Sequence, residues 1–134
     1  MADQSITIVG NLTRDPELKF TQSGRPICSF SVAVSRRWKG QNDEWQEESS
    51  FFDVDAWGEL GENVAASCPK GTRVVVMGDH RQRFYEDKDG NKRSAWAINA
   101  TSVGPDLRWA TAEVERIARD KAPRPSAQPI EEAF

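Results

Sequence analysis

From Phe51 to Trp57 the chain reads Phe-Phe-Asp-Val-Asp-Ala-Trp. With a two-residue strand period, Phe52, Val54 and Ala56 fall on one face, and Phe51, Asp53, Asp55 and Trp57 fall on the other. Two aspartates are expensive to bury without partners, so the second face is the wet one. Two large aromatic rings then stand on a solvated strand face. Such rings are platforms on which nucleic-acid bases stack, at about 1–3 kcal/mol per base. The stretch Thr72–Tyr85 repeats the pattern. Arg73, Val75, Met77, Asp79, Arg81, Arg83 and Tyr85 share one face, and Val74, Val76, Gly78, His80, Gln82 and Phe84 share the other. Guanidinium groups beside a ring combine phosphate neutralisation with stacking. Arg36, Arg37, Trp38 and Lys39 make the same mixture in a loop, and Lys92 and Arg93 follow a hairpin turn.

Each feature has an ordinary explanation. Trp57 suits edge packing, Tyr85 suits a strand end, and Arg81 and Arg83 suit solvated pairs with Glu86 and Asp87, which contribute little. Trp45 sits in an acidic loop, and Trp96 reads as packing. Aromatic rings recur beside cations at four separate places, which favours the nucleic-acid reading. Catalysis finds less support. His80 is the only histidine, and its parity sends it to the core face. Asp53 and Asp55, with Glu47 and Glu48, are the acids of a conceivable metal or nuclease site, but such a site needs a convergent third group. No phosphate-cradling glycine loop or nucleophile motif is present. Cys28 and Cys68 fit no zinc spacing and read as buried, reduced thiols. The expectation is no catalytic residue, no metal and no cofactor.

The elements that must position these residues are short strands separated by turns. Ser5–Val9 is β-rich, with a break at Gly10-Asn11. Asp15-Pro16 and Ser23-Gly24-Arg25-Pro26 are turn chemistry. Ile27–Ser35 alternates with Cys28, Phe30, Val32 and Val34 inward, and Ser29, Ser31, Ala33 and Ser35 outward. Trp38–Glu48 reads as a polar hairpin connection and Ser50–Trp57 as a strand. Gly58–Cys68 is helical, with Leu60, Val64 and Cys68 on one face. Thr72–Tyr85 and Lys92–Val103 form a hairpin about Asp89-Gly90. Five strands with one helix between the third and fourth match the order of an OB barrel, an all-β fold. Residues 1–106 are expected to form that domain. Leu107, Ala110, Val114, Ile117 and Ala118 predict a short helical extension over 107–121. The proline-bearing end, 122–134, predicts a disordered, acidic-tipped tail.

The chain has 134 residues, 37% of them hydrophobic and 29% charged, with a formal net charge of −3. That composition suits a soluble domain with its own core. No apolar run reaches the length of a membrane span, and Met1–Gln4 lacks signal-peptide character. A cytoplasmic, nucleoid-associated location is expected. The negative balance opposes binding to phosphate unless the cations segregate to one surface.

At these positions the chain resembles the bacterial single-stranded DNA-binding protein family. The resemblance begins at Val9-Gly10-Asn11-Leu12 and Asp15-Pro16-Glu17-Leu18. It continues through Phe30–Val34, Trp38, Ser50–Gly58, Lys70-Gly71, Val74–Gly78 and Arg81–Tyr85, covering roughly residues 4–104. It implies an OB fold, a homotetramer, and wrapping of single strands without sequence preference in replication, recombination and repair. The family's stacking positions fall on Trp38, Phe51, Trp57 and Tyr85. The expected phosphate-binding set is Arg36, Arg37, Lys39, Arg73, Arg81, Arg83, Lys92 and Arg93. Ile130, Glu131, Glu132, Ala133 and Phe134 stand where the family has its partner-binding tip for replication and repair proteins. Three departures stand out. Asp53 and Asp55 put negative charge between the aromatic residues, the linker is short, and Ala133 replaces the proline before the terminal phenylalanine. The alternatives are an OB-type adaptor whose main partners are proteins, and a nuclease built on the acidic pair. RNA in place of DNA is also open, since stacking reads the 2′-hydroxyl weakly.

Overall fold

A computed structural model describes residues 4–118. It contains strands β1 (Ser5–Leu12), β2 (Glu17–Phe20), β3 (Pro26–Lys39), β4 (Trp45–Trp57), β5 (Arg73–Glu86) and β6 (Lys92–Pro105), with helix α1 (Gly58–Ser67) between β4 and β5. The sheet order is β1-β5-β6-β4-β3-β2, and β1 also pairs with β3. That last pairing, at Asn11↔Ala33 and Leu12↔Val32, closes five strands into a ring. A parallel contact, Val54↔Ile98 and Asp55↔Asn99, joins β4 to β6. The architecture is the OB-type barrel expected, with α1 between the third and fourth of the expected strands and the short β2 as an addition on the outer edge of β3.

Inward parity builds the core. Cys28, Phe30 and Val32 from β3, Val54 and Ala56 from β4, Val74 and Val76 from β5, and Ile98 from β6 are fully buried. Ile8 and Leu12 from β1, and Val64 and Cys68 from α1 and its end, complete the cluster. Each large side chain withdrawn from water contributes about 1.5–3 kcal/mol. Closure depends on Gly10, because any Cβ there would collide with the Ala33 carbonyl oxygen. Gly61 similarly lets α1 settle on the Ala56 carbonyl at the barrel floor.

Several boundaries differ from expectation. β1 continues through Gly10-Asn11, because both residues find partners on β5. β2 is new, since four exposed residues offer no periodic pattern. Ser31 is buried rather than outward-facing, because the chain leaving β1 crosses it and the Thr13 amide donates to the Ser31 carbonyl. The largest difference lies at Trp38–Glu48. Pairing continues from Ile27↔Trp57 out to Lys39↔Trp45, so β3 and β4 form a long arm whose turn is only Gly40–Glu44. Opposite charges facing across this arm, Arg36↔Glu48 and Arg37↔Glu47, supply cross-strand pairs that polar composition hid.

The helical extension is a correction. Residues 107–118 form a turn followed by irregular chain. Leu107, Val114 and Ile117 remain exposed, so the apolar stripe is left unpacked among the described residues. A short helix without tertiary packing is marginal in water. The tail 122–134 lies outside the described residues.

Candidate nucleic-acid interface

The outward face of β4 carries Trp45, Phe51, Asp53, Asp55 and Trp57, since they differ by even numbers along one strand. Phe51 is 68% exposed and Trp45 61% exposed, whereas Trp57 is half-buried. Cations clothe two of these rings. The Arg37 guanidinium and the Lys39 ammonium lie 5.2 and 5.7 Å from the centroid of Trp45. The Arg25 guanidinium lies 4.5 Å from that of Trp57. Such placement is attractive because the ring face is electron-rich, and it leaves the cations near any polyanion on that face.

The outward face of β5 joins this surface. Arg81 and Arg83 stand opposite Ala97 and Ala95 of β6. These small side chains let Arg83 reach over β6 to Asp55, with Nη1 3.9 Å from Oδ2. The other Asp55 oxygen accepts the Ser29 hydroxyl at 2.9 Å. Tyr85 is half exposed further out on the same face, opposite Arg93. The β5–β6 turn is held by Asp87, whose carboxylate accepts the Asp89 and Asn91 amides and the Arg93 Nε–H. The Arg93 hydrogen bond, followed by the Asn91 amide, holds the Asp87 carboxyl below its usual range.

Phe51, Trp57 and Tyr85 therefore lie on one continuous face with Arg37, Lys39, Arg81 and Arg83. Trp38 does not. It is at odd spacing from Ala33, the partner of Phe51, and so projects from the opposite side of the arm. There the Arg36 guanidinium lies 4.7 Å from its ring centroid and pairs with Glu48 at 3.3 Å. Lys92 is exposed at the start of β6, opposite Glu86, and so projects from the side away from Tyr85 and Arg93. Arg73 stands apart at the far end of β5. Its Nε donates to Asp106 at 2.7 Å and its guanidinium lies 4.9 Å from the Trp109 ring. It anchors the chain leaving the barrel, and the same contact holds the Asp106 carboxyl below its usual range.

Sequence parity missed Trp45 and Arg25. Trp45 was readable once the arm was known to be paired strand. Arg25 precedes β3 in a turn, where no periodicity predicts direction. The His80 ring packs 4.8 Å from Trp96 and 6.3 Å from Phe52, on the inward face as expected. Cys28 and Cys68 are free and buried. Burial, then the neighbouring Cys68 and Asp55, pushes the Cys28 thiol up to about 11. Among the described residues no group of three His, Cys, Asp or Glu side chains is placed to hold a metal ion, and no helix is long and apolar enough to cross a membrane. The tip residues Ile130–Phe134 lie outside the described residues.

Comparison with known proteins adds a second line. Residues 3–106 match the model of the single-strand binding protein family. A single-stranded DNA-binding protein of Paenarthrobacter aurescens is 43% identical over 120 residues, covering 88% of this chain and 70% of the relative. One from Mycolicibacterium smegmatis is 44% identical over 119 residues, covering 87% and 72%. One from Corynebacterium glutamicum is 43% identical over 121 residues, and there the match spans only 54% of the relative's length. Among solved structures, a small single-stranded DNA-binding protein from Streptomyces coelicolor aligns with a TM-score of 0.66 at 30% identity, covering 80% of this chain and 97% of that one.

Proposed function

The chain belongs to the single-strand binding protein family, and from that premise we propose that it binds single-stranded DNA on the outward face of β4 and β5, acting by occupancy rather than catalysis. The observation that carries the reading is the exposure of Phe51 on a face shared with Trp45, Trp57 and Tyr85, with cations set over or beside the rings. Bases stack on Phe51, Trp57 and Tyr85, and stacking is tolerant of sequence because every base has a π-face. Arg37, Lys39, Arg81, Arg83 and Arg93 meet phosphates from this face, and Lys92, opposite Glu86, does so from the other side of its hairpin. Arg73 contributes less, because Asp106 already occupies it. Trp38 and Arg36 serve a strand passing around the edge of the β3–β4 arm. Cations placed beside the exposed rings let a chain with net charge −3 attract a polyanion locally.

In the cell this activity covers and protects single strands during replication, recombination and repair, in the cytoplasm with the nucleoid. Four copies present their faces to one wrapped strand, and the Ile130–Phe134 tip engages repair or replication proteins. Replacement of Phe51 by alanine tests the reading. Losing one platform at about 1–3 kcal/mol weakens binding of an oligo-dT by roughly five- to 150-fold while the fold, judged by circular dichroism, stays unchanged. Unaltered affinity in Phe51→Ala would remove this face as the binding site.

A further inference from the structure

The outward face of β4 carries two aspartates, and they are not equivalent. Both Asp55 oxygens are engaged, one by the Ser29 hydroxyl and one by Arg83. Its charge is locally balanced. Asp53 is exposed two residues along the same strand face, directly opposite Ser31 of β3. Among the described residues it accepts no side-chain hydrogen bond and joins no ion pair within reach. Its neighbours on that face are the exposed Phe51 on one side and Asp55, then Trp57, on the other.

Resting on the reading of this face as a single-strand site, we propose that Asp53 biases binding by base composition, favouring cytosine and adenine over thymine. The reason is the hydrogen-bonding chemistry of a base held over the face. A free carboxylate repels phosphate, so the backbone of a bound strand keeps to the cationic flanks and base edges occupy the space above Asp53. A carboxylate only accepts hydrogen bonds. Cytosine offers its N4 amino group and adenine its N6 amino group, and acceptance from the cytosine amine is an established carboxylate pairing. Thymine offers only its N3–H, flanked by two carbonyl oxygens that repel the carboxylate. Phe51 stacks any base, so the ring supplies affinity without choice, and the charge beside it supplies the choice.

The test compares equal-length oligo-dT and oligo-dC by fluorescence anisotropy, in the full chain and in Asp53→Asn. The amide keeps the shape, removes the charge and adds donors that suit thymine O4. The reading is taken from how the ratio Kd(dT)/Kd(dC) changes between the two proteins, which cancels intrinsic differences in strand flexibility. The expected result is a fall of about five-fold in that ratio in Asp53→Asn, the size of one net hydrogen bond, with dT affinity itself increased. Glu59→Gln, an exposed acid on α1 rather than on β4 or β5, removes the same charge and should leave the ratio unaltered. A ratio unchanged in Asp53→Asn, or one changed equally by Glu59→Gln, overturns the proposal while leaving single-strand binding intact. Failure of the unaltered protein to bind either strand overturns the underlying reading and this inference with it.

Discussion

Arg83 of β5 reaches across β6 to Asp55 of β4, with Nη1 3.9 Å from Oδ2. Ser29 of β3 holds the other Asp55 oxygen. One carboxylate thus connects three strands on the face assigned to DNA, and it competes with phosphate for a guanidinium. Asp55→Asn should release Arg83. Affinity for a single strand at low salt should rise by a few-fold and the salt slope should steepen by about one phosphate contact. Stability should change by no more than about 1 kcal/mol, because Arg83 is largely exposed and the new amide oxygen still accepts from Ser29. Titrations over a range of salt check both; an unchanged slope in Asp55→Asn would show that Arg83 faces no phosphate.

Barrel closure should be sensitive at Gly10, where β1 approaches β3 too closely for a side chain. Gly10→Ala forces the strands apart, and overpacking of this kind costs about 1–3 kcal/mol. Denaturant unfolding should show that loss. A variant as stable as the parent would mean that the β1–β3 contact is dispensable.

The β5–β6 turn should carry a measurable pH signature. The Asp87 carboxyl is held below its ordinary value, chiefly by Arg93. A depressed carboxylate adds stability above the ordinary value, and that contribution disappears as pH falls through the depressed one. In Arg93→Ala the Asp87 midpoint, followed by carbon-detected NMR, should move up toward an ordinary aspartate. An unmoved midpoint would assign the depression to the turn amides alone.

Both thiols should be silent in the folded protein. Cys28 is fully buried and its thiol is pushed up to about 11, and burial also raises that of Cys68. Thiolates are the reactive form, so iodoacetamide at pH 8 should leave both cysteines unmodified until denaturant is added. Rapid labelling of the native chain would contradict the packing of α1 against β3.

The core was readable from sequence because alternation at Cys28, Phe30 and Val32, and again at Phe52, Val54 and Ala56, reports burial directly. The same parity placed Phe51, Trp57, Arg83 and Tyr85 on a wet face. It failed where local pattern and tertiary context part. The β3–β4 arm is polar on both sides, so nothing in its composition separates paired strand from loop, and Trp45 passed as a loop residue. The apolar period of residues 107–118 suggested a helix whose partner surface is missing among the described residues. Arg73 shares the parity of Arg81 and Arg83, but the pairing of β5 leaves it at the other end of the barrel, next to Asp106.

In the proposed complex, bases stack against the rings of this face while cations hold the backbone. Titrating intrinsic tryptophan fluorescence with oligo-dT and with duplex of equal length, at two salt concentrations, tests it most directly. Stacking on these rings requires strong quenching by the single strand, little by the duplex, and weaker binding at the higher salt. Absence of quenching by oligo-dT, or binding indifferent to salt, would contradict it.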